Sequence, residues 1–424
     1  MLSKYVIKIP VDDKKTLLYN SITNSLISLP TSKEDVEIFI KKLNQEELQY
    51  LRKELYLQFS EIDEEKLVKM VMNKIKYSSR SVSFIIHLNY NCNLRCVYCY
   101  QREIKSKKVM TEETEKDVIK FIKGIVKKTS PEQIELCFIG GEPLLHKRKI
   151  KNIINGISNE GKSLKIIKSI ITNGTLLNKK TVNELINMKI DLLQVTLDGP
   201  QKIHDQLRIG MDNSGSYNKI INNLEAISKE FNESINIVIN CNINLLNINH
   251  IEELFIELRK KRINYPVFFS IVFESRKNSF KYAYKNDINK AWLNAHKIGL
   301  KYGNNYVPFY RNSYFTCSFF RDNVFIISPD GYLYKCISGI GNTQYLISHI
   351  SEYGSHYYYS RVSQFIEKEN MNSECTDCDY KIICGGWCVY KKNVYGNICP
   401  KQELDENDIP LIVENYKNSA KGNK

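Results

Sequence analysis

The sequence predicts an α/β fold: a partial (β/α)6 barrel on a parallel sheet, a small α+β module before it and a loop-rich, cysteine-dense domain after it. Three observations carry this expectation. Between Ser83 and Phe273 short apolar runs alternate with longer amphipathic ones, residues 1 to about 78 read as short strands followed by helices, and seven of the twelve cysteines lie after residue 316.

In the central region the strand candidates are Phe84 to Leu88, Ile134 to Ile139, Ile166 to Ile171, Leu192 to Leu197, Ile235 to Ile243 and Pro266 to Phe273. The helical patterns between them run over Glu112 to Lys127, Lys147 to Asn159, Lys179 to Met188, Tyr217 to Lys229 and Ile251 to Arg259, long enough to cover a parallel sheet. The first module offers strands at Tyr5 to Ile9, Thr16 to Tyr19 and Leu26 to Leu29, then helices from Lys33, Glu46 and Glu64. After the barrel, Pro329-Asp330-Gly331 between two apolar runs predicts a hairpin, because Gly supplies the φ > 0 that such a turn needs. The expected boundaries are 1–78, 79–305, 306–405 and a polar, frayed tail at 406–424.

A balance of 42% hydrophobic and 25% charged residues excludes a disordered or fibrous chain. No apolar run has the length of a signal peptide or a bilayer span, so the expected location is the cytoplasm, without membrane association. In that reducing compartment, cysteines at short spacings point to metal or catalysis, not to disulfides. The net charge of +14 comes from scattered lysines and reads as solvated surface, so nucleic acid is not the expected partner.

Chemistry in parallel βα folds collects beyond the carboxyl ends of the strands. Four motifs fall there: Cys92 to Cys99 after the first strand, Gly140-Gly141-Glu142-Pro143 after the second, Thr172-Asn173-Gly174-Thr175 after the third and Asp198-Gly199-Pro200 after the fourth. Cys92, Cys96 and Cys99 lie within eight residues, close enough for one loop to wrap one face of an iron–sulfur cubane and leave one iron open. A structural zinc site is the rival, but it wants a fourth protein ligand, and nothing adjacent offers one. Gly140-Gly141 alone is a turn and Arg208 alone a surface charge; it is their succession at strand ends that gives them weight.

Taken together these residues resemble the radical S-adenosylmethionine (SAM) superfamily, whose mark is C-x3-C-x2-C with an aromatic, here Tyr98, before the last cysteine. The resemblance implies a 4Fe-4S cluster on Cys92, Cys96 and Cys99, with SAM chelated by the open iron and cleaved to a 5′-deoxyadenosyl radical. It further implies that Gly140, Gly141, Glu142 and Pro143 border the methionine amine, that Thr172, Asn173 and Asp198 line the ribose and carboxylate, and that Arg208 pairs with the carboxylate. Beyond the barrel, Cys317, Cys336, Cys375, Cys378, Cys384, Cys388 and Cys399 resemble a SPASM domain with two auxiliary iron–sulfur clusters. By that pattern Cys375, Cys378, Cys384 and Cys399 hold an outer cluster and Cys317, Cys336 and Cys388 an inner one, with Gly385-Gly386-Trp387 as the turn between them. Eight-cysteine relatives carry a further cysteine that this chain lacks between Cys317 and Cys336, which leaves the inner cluster an open iron for a peptide thiolate, or for water, a carboxylate or a backbone group.

The function so implied is maturation of a ribosomally made precursor peptide: hydrogen abstraction, then a cross-link from cysteine sulfur to carbon. A carbon–carbon cross-linking maturase and an anaerobic sulfatase-maturing enzyme are the alternatives within the class, and a zinc-stabilised nucleic-acid-binding protein the one outside it. The first module resembles elements that bind leader peptides by adding a strand to a sheet edge, with a structural cap on the barrel as the other reading. The implied electron donor is a flavodoxin or ferredoxin. Cys137 and Cys241, inside apolar strand patterns, are expected to be buried and inert, and His87, His146, His204 and His250 to serve packing or surface roles. No residue is singled out as a catalytic acid, base or radical relay.

Overall fold

The structure, a computed structural model, describes the chain apart from residues 59–62, 159–163, 232–233, 273–287, 305–316, 367–372, 376–377, 387, 397–398, 402–403, 406–408 and 423–424. It divides into two compact units: Met1–Tyr77 with Pro308–Phe320 and Lys368–Lys424, and Ser78–Val307 with Arg321–Glu367. The stretch 306–405, expected as one domain, is thus divided between them.

In the smaller unit, β1 (Val6–Asp12), β2 (Lys15–Asn20) and β3 (Ser25–Leu29) form an antiparallel meander in that order, followed by α1 (Val36–Lys41), α2 (Gln45–Lys53) and α3 (Glu64–Lys76). Local chemistry sets the helix starts: Asn44 and Glu47 form a reciprocal capping box on α2, and the Asp63 carboxylate accepts from the first backbone N–H groups of α3. Strand alternation sends Val6, Leu18 and Leu29 to one face of the sheet, where Val36, Ile40, Leu51 and Tyr56 close over them. Ile7, Ile9, Leu17 and Tyr19 go to the other, where they meet Tyr380, Ile383, Leu404 and Ile412.

That second layer corrects an expectation. Residues 406–424 are not simply a frayed polar tail, because Ile409–Gly422 is a helix, with Leu411 and Ile412 buried and Ile409, Val413 and Tyr416 packed against the sheet. Ile409, Ile412, Val413 and Tyr416 stand at i, i+3, i+4 and i+7, one face of a helix.

The larger unit holds a nine-stranded sheet. Its centre is six parallel strands in sequence order, β4 (Ser81–His87), β5 (Gln133–Ile139), β6 (Lys165–Thr172), β7 (Leu192–Thr196), β8 (Asn236–Ile243) and β9 (Val267–Ile271). The crossovers carry α4 (Glu112–Thr129), α5 (Lys147–Ile157), α6 (Lys179–Asn187), α7 (Gln201–Leu207), α8 (Tyr217–Glu230) and α9 (Ile251–Lys260), and α10 (Ile288–Lys301) follows β9. This is the expected βα succession, with α7 and α10 added. The ends expected at Asn159 and Phe273 lie outside the described residues.

Beyond β4 the sheet continues into β10 (Val324–Ile327), β11 (Tyr332–Tyr334) and β12 (Leu346–His349). The hairpin at Pro329 to Gly331 is present, with Gly331 at φ 80°, and its first strand pairs in parallel with β4. One face of the sheet is closed by apolar packing: Val82, Phe84, Ile86, Leu136 and Phe138 are buried with Val118, Phe121 and Ile122 of α4. The opposite face carries Ser83, Glu135, Cys137 and Ser169, all half-buried, with Ser83 donating to Glu135 at 2.9 Å. Cys241 is buried as expected; Cys137, aligned with Ser169 on this polar face, is not.

Candidate cluster and cofactor site

All the motifs at the strand ends belong to the larger unit, and backbone hydrogen bonds tie them together. The cysteine loop is pinned along the segment after α7, with Arg95 N donating to Ile209 O at 2.8 Å, Val97 N to Leu207 O at 2.9 Å and Met211 N to Asn93 O at 3.2 Å. Arg208 is thereby held beside the thiols. On the other side, Gly141 N donates to Asn89 O and Glu142 N to Asn91 O, each at 3.0 Å. A Cβ on Gly141 would overlap the Asn91 carbonyl, and one on Gly140 would overlap Asn89. In this structure the glycine pair is required for close approach to the cysteine loop itself.

Glu142 is buried, and its carboxylate accepts from Leu144 N at 3.0 Å, Thr172 Oγ1 at 2.7 Å and Asn173 N at 2.8 Å. Burial raises its pKa while these bonds work against the rise. The second and third motifs are therefore joined through one side chain. Pro143 opens the 3-10 turn Pro143–His146, where its fixed φ fits.

Around Asp198 a second network forms. Asp198 accepts from Asn242 N at 2.7 Å and from the Tyr98 hydroxyl, and Arg208 Nη1 lies 2.8 Å from Tyr98 Oη and 3.7 Å from the Asp198 carboxylate. Burial works against the Arg208 charge, but Cys96, Tyr98 and Asp198 outweigh it and hold its pKa well above the ordinary value. Asp198 N donates to His204 Nδ1 at 3.1 Å, so His204 carries its proton on Nε2, which meets Ser216 Oγ at 3.0 Å. Burial keeps that imidazole neutral.

The residues present fit an iron–sulfur cluster and SAM. Three thiols share one loop, the Leu94 N–H donates to the Cys92 sulfur at 3.4 Å, and the buried Arg208 Nε has no partner among the described residues. Among the described residues no three His, Cys, Asp or Glu groups are gathered to hold a single ion. Thiolates on a cubane bind different irons, so they stand further apart than ligands of one ion.

Sequence reasoning missed several members of the site. Asn242 completes the Asp198 network, Asn89 donates to Glu142 O at 3.1 Å, and Asn93 Nδ2 reaches Thr175 Oγ1 at 2.8 Å. The polar residues Asn240 and Asn242 at alternate positions near the end of an apolar strand were the available signal. Tyr100 bonds Gln101, which bonds His87 at 3.2 Å, and burial pushes the phenol's pKa up. Of the C-terminal cysteines only Cys336 belongs to this unit; Cys317, Cys375, Cys378, Cys384, Cys388 and Cys399 belong to the smaller one. There, Gly385 and Gly386 both take positive φ and reverse the chain between Cys384 and Cys388, while Trp387 lies outside the described residues.

Residues 86–258 match the radical SAM superfamily. The chain carries a radical SAM domain. The superfamily uses SAM and a 4Fe-4S cluster, which together supply a 5′-deoxyadenosyl radical that takes a hydrogen atom from the substrate. Among curated proteins, the cysteine-type anaerobic sulfatase-maturating enzyme of Clostridium novyi is 26% identical, over 74% of this chain and 89% of that protein. The radical SAM cyclopropyl synthase TigE of Paramaledivibacter caminithermalis is also 26% identical, over 55% of each. In fold the chain is similar to anSMEcpe with bound AdoMet, at TM-score 0.62 and 19% identity over 80% of this chain and 95% of that one. It is also similar to SuiB of Streptococcus suis, at TM-score 0.53 and 18% identity over 93% of this chain and 96% of that one. Among the described residues no helix is long and apolar enough to cross a membrane.

Proposed function

We propose that this radical SAM enzyme matures a ribosomally made precursor peptide, abstracting a hydrogen atom and forming a cross-link from a cysteine sulfur to carbon. The observation that carries the peptide assignment is the reach of the fold likeness: SuiB, one of whose structures holds its precursor peptide SuiA, parallels 93% of this chain, against 80% for anSMEcpe. The smaller unit suits a leader peptide. Both faces of its three-stranded sheet are covered, so a peptide strand could join only at an open edge, β1 or β3.

Within the larger unit, Cys92, Cys96 and Cys99 would hold the SAM-binding cluster, and Arg208 would offer its guanidinium to the SAM carboxylate. Gly140 to Pro143, Thr172, Asn173, Asp198 and Tyr98 would frame the cofactor. Cys375, Cys378, Cys384 and Cys399 would hold an outer auxiliary cluster in the smaller unit. An inner auxiliary cluster one cysteine short of the SPASM pattern would favour a sulfur-to-carbon link. A flavodoxin or ferredoxin would be the electron source.

Tandem mass spectrometry on precursor peptide treated with reconstituted enzyme, SAM and reductant tests this. The expected product has lost two hydrogens and links Cys sulfur to a second residue, and a Cys→Ser peptide should support 5′-deoxyadenosine formation without the link. A link that survives in the Ser peptide removes the thioether. The 26% identity over most of the chain favours a sulfatase-maturating activity as the second reading. In that case a single Cys or Ser side chain becomes an aldehyde and no two residues are joined.

A further inference from the structure

Asn173 directly follows the third barrel strand, and its side chain turns toward the cysteine loop. Nδ2 lies 2.8 Å from Asn93 Oδ1 and 3.8 Å from Cys92 Sγ. On the far side Oδ1 accepts from the Thr175 backbone N–H at 2.9 Å and from Thr175 Oγ1 at 2.6 Å. The amide cannot be turned round. A backbone N–H only donates, so the oxygen must face Thr175, and both amide hydrogens are left for Asn93 and the sulfur. Asn93 closes the ring through its own donation to Thr175 Oγ1 at 2.8 Å. Gly174, at φ 80°, makes the turn that brings Thr175 N–H back onto Asn173. With the Leu94 N–H, two donors converge on one thiol sulfur.

We propose that Asn173 is a positioning residue that tunes the SAM-binding cluster through the Cys92 sulfur and makes that cluster easier to reduce. Reduction adds negative charge that is shared with the thiolates, and an N–H donor on sulfur stabilises the more negative state, which raises the potential. Radical SAM chemistry starts from the reduced cluster, so the donor acts on the state from which the radical is made. The inference rests on Cys92 being a cluster ligand.

The test is a potential. In the full-length chain, reconstituted anaerobically, an EPR-monitored redox titration without SAM follows the signal that separate samples show to change on SAM addition, which singles out this cluster from any auxiliary one. Asn173→Ala removes the amide, and Asn173→Asp keeps its shape but replaces the donor with a charge. At the wild-type midpoint the ratio of reduced to oxidised cluster should fall about tenfold in Asn173→Ala, equivalent to ~59 mV for one electron, and further in Asn173→Asp. Iron and sulfide per chain should not change. An unchanged midpoint at normal cluster content overturns the proposal. So does failure of both variants to take up the cluster under conditions that load the wild type, since a tuning donor is not needed to hold iron. Cys92→Ala is the separate control: loss of the SAM-responsive signal upholds Cys92 as ligand, whereas its persistence removes that assignment whatever Asn173 does.

Discussion

Asp198 and Arg208 are both buried, and each carries the charge that makes the other's burial tolerable. Removing one partner of such a pair leaves an uncompensated charge, which costs about 3 to 5 kcal/mol. Asp198→Asn should therefore lower the unfolding free energy of the apo chain by roughly 3 kcal/mol, and urea denaturation measures it. A second expectation concerns pH. Burial pushes the His87 pKa down to about 3 and holds His204 well below 6.5, so both are neutral when folded and ordinary when unfolded. The unfolded chain then binds more protons below pH ~6.5, and stability present above that value is lost as pH falls toward the folded pKa. Melting curves from pH 7 to 4 should show that decline, and His87→Asn should flatten it; an equal slope in both would remove His87 as its source. At this scale the cysteines were legible because their spacing is their signal. Asn93 was not, since an Asn inside a loop differs from its neighbours only through the partner the fold gives it.

Between elements, two glycines make opposite predictions from the same substitution. Gly124 lies inside α4 with open space where a Cβ would go, so Gly124→Ala should stabilise by about 1 kcal/mol through helix propensity. Gly141→Ala would drive a methyl into the Asn91 carbonyl and part the second motif from the cysteine loop. Loss of cluster uptake is expected there, read as iron per chain against Gly124→Ala. The βα succession was legible because alternating apolar runs of two lengths leave few arrangements, and the motifs fell at strand ends for the same reason. The helix Ile409–Gly422 was missed because charge and position near the end of the chain suggested fraying, although Ile409, Ile412, Val413 and Tyr416 already marked a face. That face is testable: Ile412→Ala should cost about 2 to 4 kcal/mol in the smaller unit, measured by thermal unfolding.

At the scale of the whole molecule, the two units have different claims to independent stability. The larger has a nine-stranded sheet whose apolar face is closed by its own helices. The smaller closes one face of a three-stranded sheet with a segment that also carries cysteines: Cys378 and Cys384 pack with Tyr380, Ile383 and Leu404 against Ile7, Ile9, Leu17 and Tyr19. If Cys375, Cys378, Cys384 and Cys399 hold a cluster, metal binding is coupled to the folding of that layer, because the thiolates are brought together only in the folded unit. Iron removal by a chelator under reducing conditions should then raise amide hydrogen exchange across residues 5–20 and 378–384, while β5 and β6 keep their protection. Cys384→Ala should reproduce the effect in the smaller unit alone, and its iron content should fall by about four per chain while SAM cleavage continues. Uniform loss of protection across both units would instead mean that the metal holds the whole chain together, and no change in residues 5–20 would mean that the outer cysteines carry no structural metal.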